Sequence, residues 1–264
     1  VTAQLNRLNA VVRPGDQDRT PLLLMNGIGA RLEALQPFVD ALDPAIPVIR
    51  FDPPGVGGAV PSRVPYRFTT LSYRLARLLD ELGHDQVDVL GISWGGGLAQ
   101  QFALTQRRRV RRLVLVATGT GSLMVPARPG VLRHMLTPRR YLDTGYLREV
   151  SGSLYGGSAR ADPDMVERLL HKGRPSGYAY QLLAGAGWTS LPLLPLITQP
   201  TLVLAGDDDP IIPLANSWLL RTLIPRAERH IYPGGHLELV CDPPRLVPAI
   251  ERFFAQPTEP TQRS

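Results

Sequence analysis

Short apolar runs alternate with longer amphipathic stretches through the first half of the chain. Pro21-Leu-Leu-Leu-Met25, Pro47-Val-Ile-Arg-Phe51, Val87-Asp-Val-Leu90 and Leu113-Val-Leu-Val-Ala117 are rich in branched side chains, as strands covered on both faces are. Between them, Arg31 to Leu42, Thr69 to Leu82 and Trp94 to Thr105 place apolar residues at helical intervals. Strand and helix in alternation predict an α/β fold with a mostly parallel central sheet and helices on both faces.

The pattern breaks after Thr120. From Gly121 to Ile197, Pro, Gly, Tyr and Arg are frequent and no strand-like run occurs, until Thr201-Leu-Val-Leu-Ala205 restores the earlier rhythm. A helix over Leu214 to Leu223, a short strand at His230-Ile-Tyr232 and a closing helix from Pro244 to Phe254 follow. The organisation this predicts is a core of residues 1–120 and 198–264 with a helical cap, residues 121–197, inserted between two strands.

Composition narrows the chemistry. A chain of 264 residues can bury a full core, and Cys241 is the only cysteine, so neither an internal disulfide nor a cysteine zinc cluster is available. No cofactor motif and no metal-ligand spacing occur, so no cofactor is expected. The chain carries a net charge of +6, with Lys172 its one lysine. Only Arg107-Arg108-Arg109-Val-Arg111-Arg112 concentrates positive charge. It reads as a solvated turn, with an anionic partner as the alternative, and without interleaved aromatics it argues against nucleic acid. No apolar run reaches the eighteen residues of a membrane span, and no basic-then-apolar leader follows Val1, so a cytoplasmic setting without a transmembrane segment is expected.

In a doubly wound sheet, reactive groups gather at the carboxyl ends of the strands. The residues following the predicted strands are Asn26-Gly-Ile-Gly-Ala30, Gly91-Ile-Ser93-Trp-Gly95, Gly206-Asp-Asp-Asp209-Pro and Pro233-Gly-Gly-His236. Serine, aspartate and histidine in that order match an α/β-hydrolase triad. A serine hydroxyl attacks an ester only when a base removes its proton, and neutral histidine has suitable basicity. Glycines at 91 and 95 permit a sharp turn that exposes Ser93 and leaves the Trp94 N–H at a helix start. The Ile28 N–H is the candidate second donor to an oxyanion. Of three consecutive aspartates, Asp209, next to Pro210, is favoured as the acid. Of five histidines, only His236 follows a strand, on a glycine-rich loop expected to be mobile. A phosphate cradle would need Lys-Ser/Thr after the glycines, or G-x-G-x-x-G, and residues 91 to 97 offer neither.

Several further stretches carry a more specific resemblance: Phe51-Asp-Pro-Pro-Gly-Val-Gly-Gly58, Pro65-Tyr-Arg-Phe68, Pro138-Arg-Arg-Tyr141, Tyr155-Gly-Gly157, Gly187-Trp-Thr-Ser190 and Leu202 to Pro210. With the motifs around Asn26 and Ser93, they resemble the intracellular depolymerases of medium-chain-length poly(3-hydroxyalkanoate). The resemblance implies a serine hydrolase that acts on a storage polyester at granules and releases 3-hydroxy fatty acids, with Ser93, Asp209 and His236 as nucleophile, acid and base. Asn26, Met124 and Trp188 are the candidate substrate contacts, within a cap apolar enough to exclude water and grip an acyl chain. A small-molecule carboxylesterase or lactonase is the alternative within the same chemistry, and a non-catalytic binding protein the alternative outside it. Oligomeric state is left open.

Overall fold

The computed structural model describes residues 2–5, 8–137, 139, 143–169 and 175–257. Eight strands form one sheet: β1 (Thr2–Leu5), β2 (Leu8–Arg13), β3 (Leu22–Met25), β4 (Val48–Asp52), β5 (Val87–Ile92), β6 (Val110–Val116), β7 (Thr201–Gly206) and β8 (Ala227–Tyr232). Their order is β1-β2-β4-β3-β5-β6-β7-β8, with β3 to β8 parallel and β1 and β2 antiparallel at one edge.

The period-2 alternation of the strands sorts the core into two layers. Leu23, Met25, Val89, Leu113, Leu115 and Val203 face the helices α2 (Phe68–Glu81) and α3 (Trp94–Thr105). Leu22, Leu24, Leu90, Val114, Val116, Leu202 and Leu204 face the other way. There they meet Phe38 and Val39 of α1 (Gln36–Ala41) and Leu246, Ile250 and Phe253 of the closing helix (Pro243–Ala255). Both faces are covered, which is why these strands read as continuous apolar runs.

Between β6 and β7 the described residues form α4 (Pro129–Leu136), α5 (Thr144–Tyr155), α6 (Gly157–Ala161), α7 (Pro163–Leu169) and α8 (Pro175–Gly185). Leu147, Val150, Leu154, Ala159 and Val166 build a small core of their own, joined by Ile211 from the loop after β7. The motif Pro138–Tyr141 falls largely outside the described residues. Three further helices follow β7: α9 (Ala215–Leu223), α10 (Glu238–Cys241) and the closing helix, α11. Among the described residues, no helix is long and apolar enough to cross a membrane.

The basic cluster is a solvated turn only in part: Arg107–Arg109 form the turn before β6, and the remaining arginines are drawn inward. Arg109 bonds Asp80 and the His84 carbonyl, Arg111 makes a bidentate pair with Asp88, and Arg112 is fully buried with its guanidinium on the Gln256 carbonyl. Of the five arginines only Arg107 and Arg108 are exposed, because the cluster runs into β6 and is absorbed by the sheet. Burial pushes the Asp88 carboxyl up from 3.8 to about 6 even beside Arg111. A carboxyl whose folded value lies above its unfolded one gains protons on folding, so burying it costs most near neutral pH and less as pH falls through 6 toward 4. Arg111→Met strands this carboxylate. A loss of about 3 kcal/mol in urea unfolding is expected at pH 7.5, shrinking at pH 5, and an equal loss at both values would contradict the coupling.

Candidate active site

Ser93 sits between β5 and α3 with φ 55° and ψ −120°. This is a strained backbone for a non-glycine residue, costing on the order of 1–3 kcal/mol. The strain is held from outside: the Ser93 N–H donates to the Val116 carbonyl and the Thr118 hydroxyl donates to the Ser93 carbonyl. A Cβ on Gly95 would overlap the Met25 carbonyl, so only glycine lets α3 start this close to β3. The turn is therefore dictated by sequence and locked by packing, and it presents the hydroxyl above the sheet.

The three strand-end residues come together there. Ser93 Oγ lies 2.9 Å from His236 Nε2, and His236 Nδ1 lies 2.8 Å from Asp209 Oδ2. The His236 and Asp209 side chains are only 5% and 2% exposed. Asp209 Oδ1 accepts the N–H groups of Ile211 and Ile212, each at 2.9 Å, which fixes the carboxylate plane. The two preceding aspartates are spent elsewhere: Asp207 caps the Gly234 N–H, and Asp208 pairs with Arg160 and accepts the Gly157 N–H.

The histidine loop is pinned rather than free. The His236 N–H donates to the Tyr155 carbonyl at 2.7 Å, and the Tyr155 ring stacks beside the imidazole at 6.3 Å. Buried Glu238 accepts from the Ser158 N–H and hydroxyl and from the Gly235 N–H. The inserted helices thus brace the base directly, and through Asp208 the loop that carries the acid. Sequence inspection misses Tyr155 and Glu238 as site residues, although an acid two positions past the histidine was a usable signal.

Ile28 and Trp94 follow the ends of β3 and β5, and their backbone N–H groups have no hydrogen-bond acceptor among the described residues. Both residues border the same space beside Ser93. Asn26 borders a second, smaller space beside Ser93, but its amide is used within the loop, donating to the Arg31 carbonyl and accepting the Gly27 N–H. It shapes the turn.

Two apolar cavities meet at Ser93. The smaller, about 60 Å³, is bordered by Ala30, Ala34, Tyr155, His236, Leu237 and Val240. The larger, about 330 Å³, is bordered by Phe68, Trp94, Met124, Leu132, Met135 and Trp188. Phe68 meets Trp94 and Trp188 edge-on at 4.9 Å, and the Trp188 indole N–H is tied to Gln101, so this wall is rigid. Met124 and Trp188 thus border the larger cavity beside Ser93. An imidazole oriented between a serine and a buried carboxylate, beside unpaired N–H donors and apolar walls, suits acyl transfer to water.

Comparison with known proteins agrees with this chemistry. Residues 20–240 match the α/β hydrolase fold family. Over 252 residues the chain is 49% identical to a poly(3-hydroxyalkanoate) depolymerase of Ectopseudomonas oleovorans, covering 94% of this chain and 89% of that one. A 3-oxoadipate enol-lactonase 2 of Acinetobacter baylyi is 28% identical over 90% of this chain and 89% of its own. Among solved structures, a hydrolase from Pseudomonas aeruginosa PA01 superposes with a TM-score of 0.80 at 24% identity, covering 97% and 98% of the two chains, a likeness of fold. The chain thus belongs to the α/β hydrolases and, within them, to the poly(3-hydroxyalkanoate) depolymerase family of ester hydrolases.

Proposed function

We propose that this enzyme hydrolyses medium-chain-length poly(3-hydroxyalkanoate) to 3-hydroxy fatty acids through an acyl-enzyme. The observation that carries the reading is the Ser93–His236–Asp209 row at the junction of two apolar cavities. Ser93 Oγ adds to the ester carbonyl while His236 Nε2 takes its proton, and the Ile28 and Trp94 N–H groups receive the charge on the carbonyl oxygen. Collapse breaks the ester bond, and His236 returns the proton to the departing 3-hydroxyl oxygen. Water, deprotonated by His236, then releases the acid. Asp209 keeps the imidazole Nδ1 protonated and balances its charge during each transfer.

Cavity size supports the chain length. A cavity of about 150 Å³ holds benzene, so the larger space of about 330 Å³ beside Ser93 admits an alkyl side chain of several carbons. Soluble 3-hydroxy acids should appear faster from a medium-chain polyester suspension than from poly(3-hydroxybutyrate). Hydrolysis confined to small esters or lactones would contradict the proposal.

The cap, residues 121–197, gives the site a means of meeting a solid polymer. Leu123 and Val125 are exposed and alternate with Ser122 and Met124, which border the larger cavity. Leu182 and Leu183, also exposed, precede Gly185 on its edge. Exposed apolar side chains beside residues that border the cavity suit an interaction face, here for the storage-granule surface in the cytoplasm. Replacing both Leu182 and Leu183 with Glu should cut polyester hydrolysis about tenfold or more, while p-nitrophenyl octanoate turnover stays within about twofold. Equal losses on both substrates would remove these leucines from the granule contact.

A further inference from the structure

We propose that Gln181, supplied by the inserted helix α8, is a positioning residue that holds both oxyanion donors in place; the inference rests on the assignment of Ile28 and Trp94 above. Gln181 lies on the buried face of α8 with Gly177 and Ala184, at the i, i+4, i+7 spacing of one helical stripe, and is 1% exposed. A polar side chain so buried must spend its hydrogen bonds inside the protein. Gln181 Oε1 accepts the Gly29 N–H at 2.8 Å, and its backbone carbonyl accepts the Trp94 indole N–H at 2.8 Å.

Each bond acts next to one donor. Gly29 has φ 76° and follows Ile28 directly, so fixing the Gly29 N–H fixes the Ile28–Gly29 peptide, which adjoins the peptide that carries the Ile28 N–H. The loop's own closing bond, Ala30 N–H to the Gly27 carbonyl, is long at 3.3 Å and restrains it less. Trp94 is the first residue of α3, so anchoring its indole to Gln181 restrains the turn from which its backbone N–H points. One residue of the insertion therefore spans the two segments whose N–H groups must converge on a single oxygen. Movement of α8 off the core would release both together, tying the electrostatic half of catalysis to the seating of that helix.

Removing an oxyanion donor outright costs about 10²–10³ in rate. Loosening donors that remain present should cost less, about tenfold. The test uses the full chain with p-nitrophenyl octanoate as substrate and octyl trifluoromethyl ketone as inhibitor. Addition of Ser93 Oγ to the ketone carbonyl, with its proton passing to His236, leaves an oxyanion where the ester's would form. Gln181→Met keeps the length of the side chain but not the acceptor. Expected are a kcat about tenfold lower, a KM within about twofold, and inhibitor affinity about tenfold weaker. Trp94→Phe keeps an aromatic ring near Phe68, removes the pyrrole ring with the N–H that the Gln181 carbonyl accepts, and should weaken inhibitor relative to substrate by about threefold; substrate and inhibitor meet the same altered cavity wall, so this ratio still reads the donors should Gln181→Met not fold. Unchanged inhibitor-to-substrate affinity ratios in the folded variants would overturn the role of Gln181. A wild-type enzyme that the ketone fails to inhibit would instead overturn the acyl-enzyme reading beneath it.

Discussion

Ser93→Ala is expected to lower kcat for p-nitrophenyl octanoate by about 10⁶, the scale on which a serine hydrolase loses its nucleophile, while the protein keeps its fold. The structure argues for both halves. Alanine removes only Oγ, whose hydrogen bond goes to His236 Nε2. The bonds that hold position 93 at φ 55°, to the Val116 carbonyl and from the Thr118 hydroxyl, use only main-chain atoms of residue 93 and survive. A thermal midpoint within a few degrees of the parent should accompany the lost turnover. A rate within tenfold of the parent would remove Ser93 as nucleophile.

Asp209→Asn is expected to cost about 10⁴ in kcat, and the direction follows from hydrogen-bond polarity. Asp209 Oδ1 accepts two backbone N–H groups, from Ile211 and Ile212. An asparagine must keep its carbonyl oxygen there and turn its NH₂ toward His236 Nδ1. Nδ1 then has to accept, the ring proton moves to Nε2, and the imidazole can no longer take the Ser93 proton. Asp207→Asn and Asp208→Asn, whose partners are Gly234 and the Arg160–Gly157 pair, should change kcat less than tenfold. A larger loss at either would place the acid elsewhere.

Strands β3 to β7 were legible because each is buried on both faces and reads as an apolar run, whereas of β8, buried only at Ala227 and Tyr232, the sequence shows just the last three residues. The first two strands were not legible. Leu8-Asn-Ala-Val-Val-Arg13 lies at the antiparallel edge with only Leu8 and Ala10 buried, so its pattern is too weak to separate from a loop. The arginine cluster misled in part, for a related reason: charge normally signals solvent, yet Arg112 is taken into the core beside the Phe253 ring and Arg111 is paired with buried Asp88. Neither partner is near in sequence.

In the site, chain order pointed to Ser93, Asp209 and His236, since strand ends are where such groups collect. Long-range braces left a fainter trace. Gln181 contacts Gly29 across 152 positions and Trp94 across 87, and its one local sign is an amide on an otherwise small, buried stripe of α8. The loop carrying His236 looked mobile from its glycines, but those glycines admit the close approach of Tyr155 and Gly156 to Gly235. Glycine there serves proximity.

Incubating the parent enzyme and Ser93→Ala side by side with a medium-chain-length poly(3-hydroxyalkanoate) suspension, and quantifying soluble 3-hydroxy acids by mass spectrometry, decides whether Ser93 drives polyester hydrolysis. Steady release of medium-chain 3-hydroxy acids is expected from the parent and none above buffer from the variant. No release by a parent enzyme that turns over small esters, or equal release by both proteins, would contradict polyester hydrolysis by Ser93.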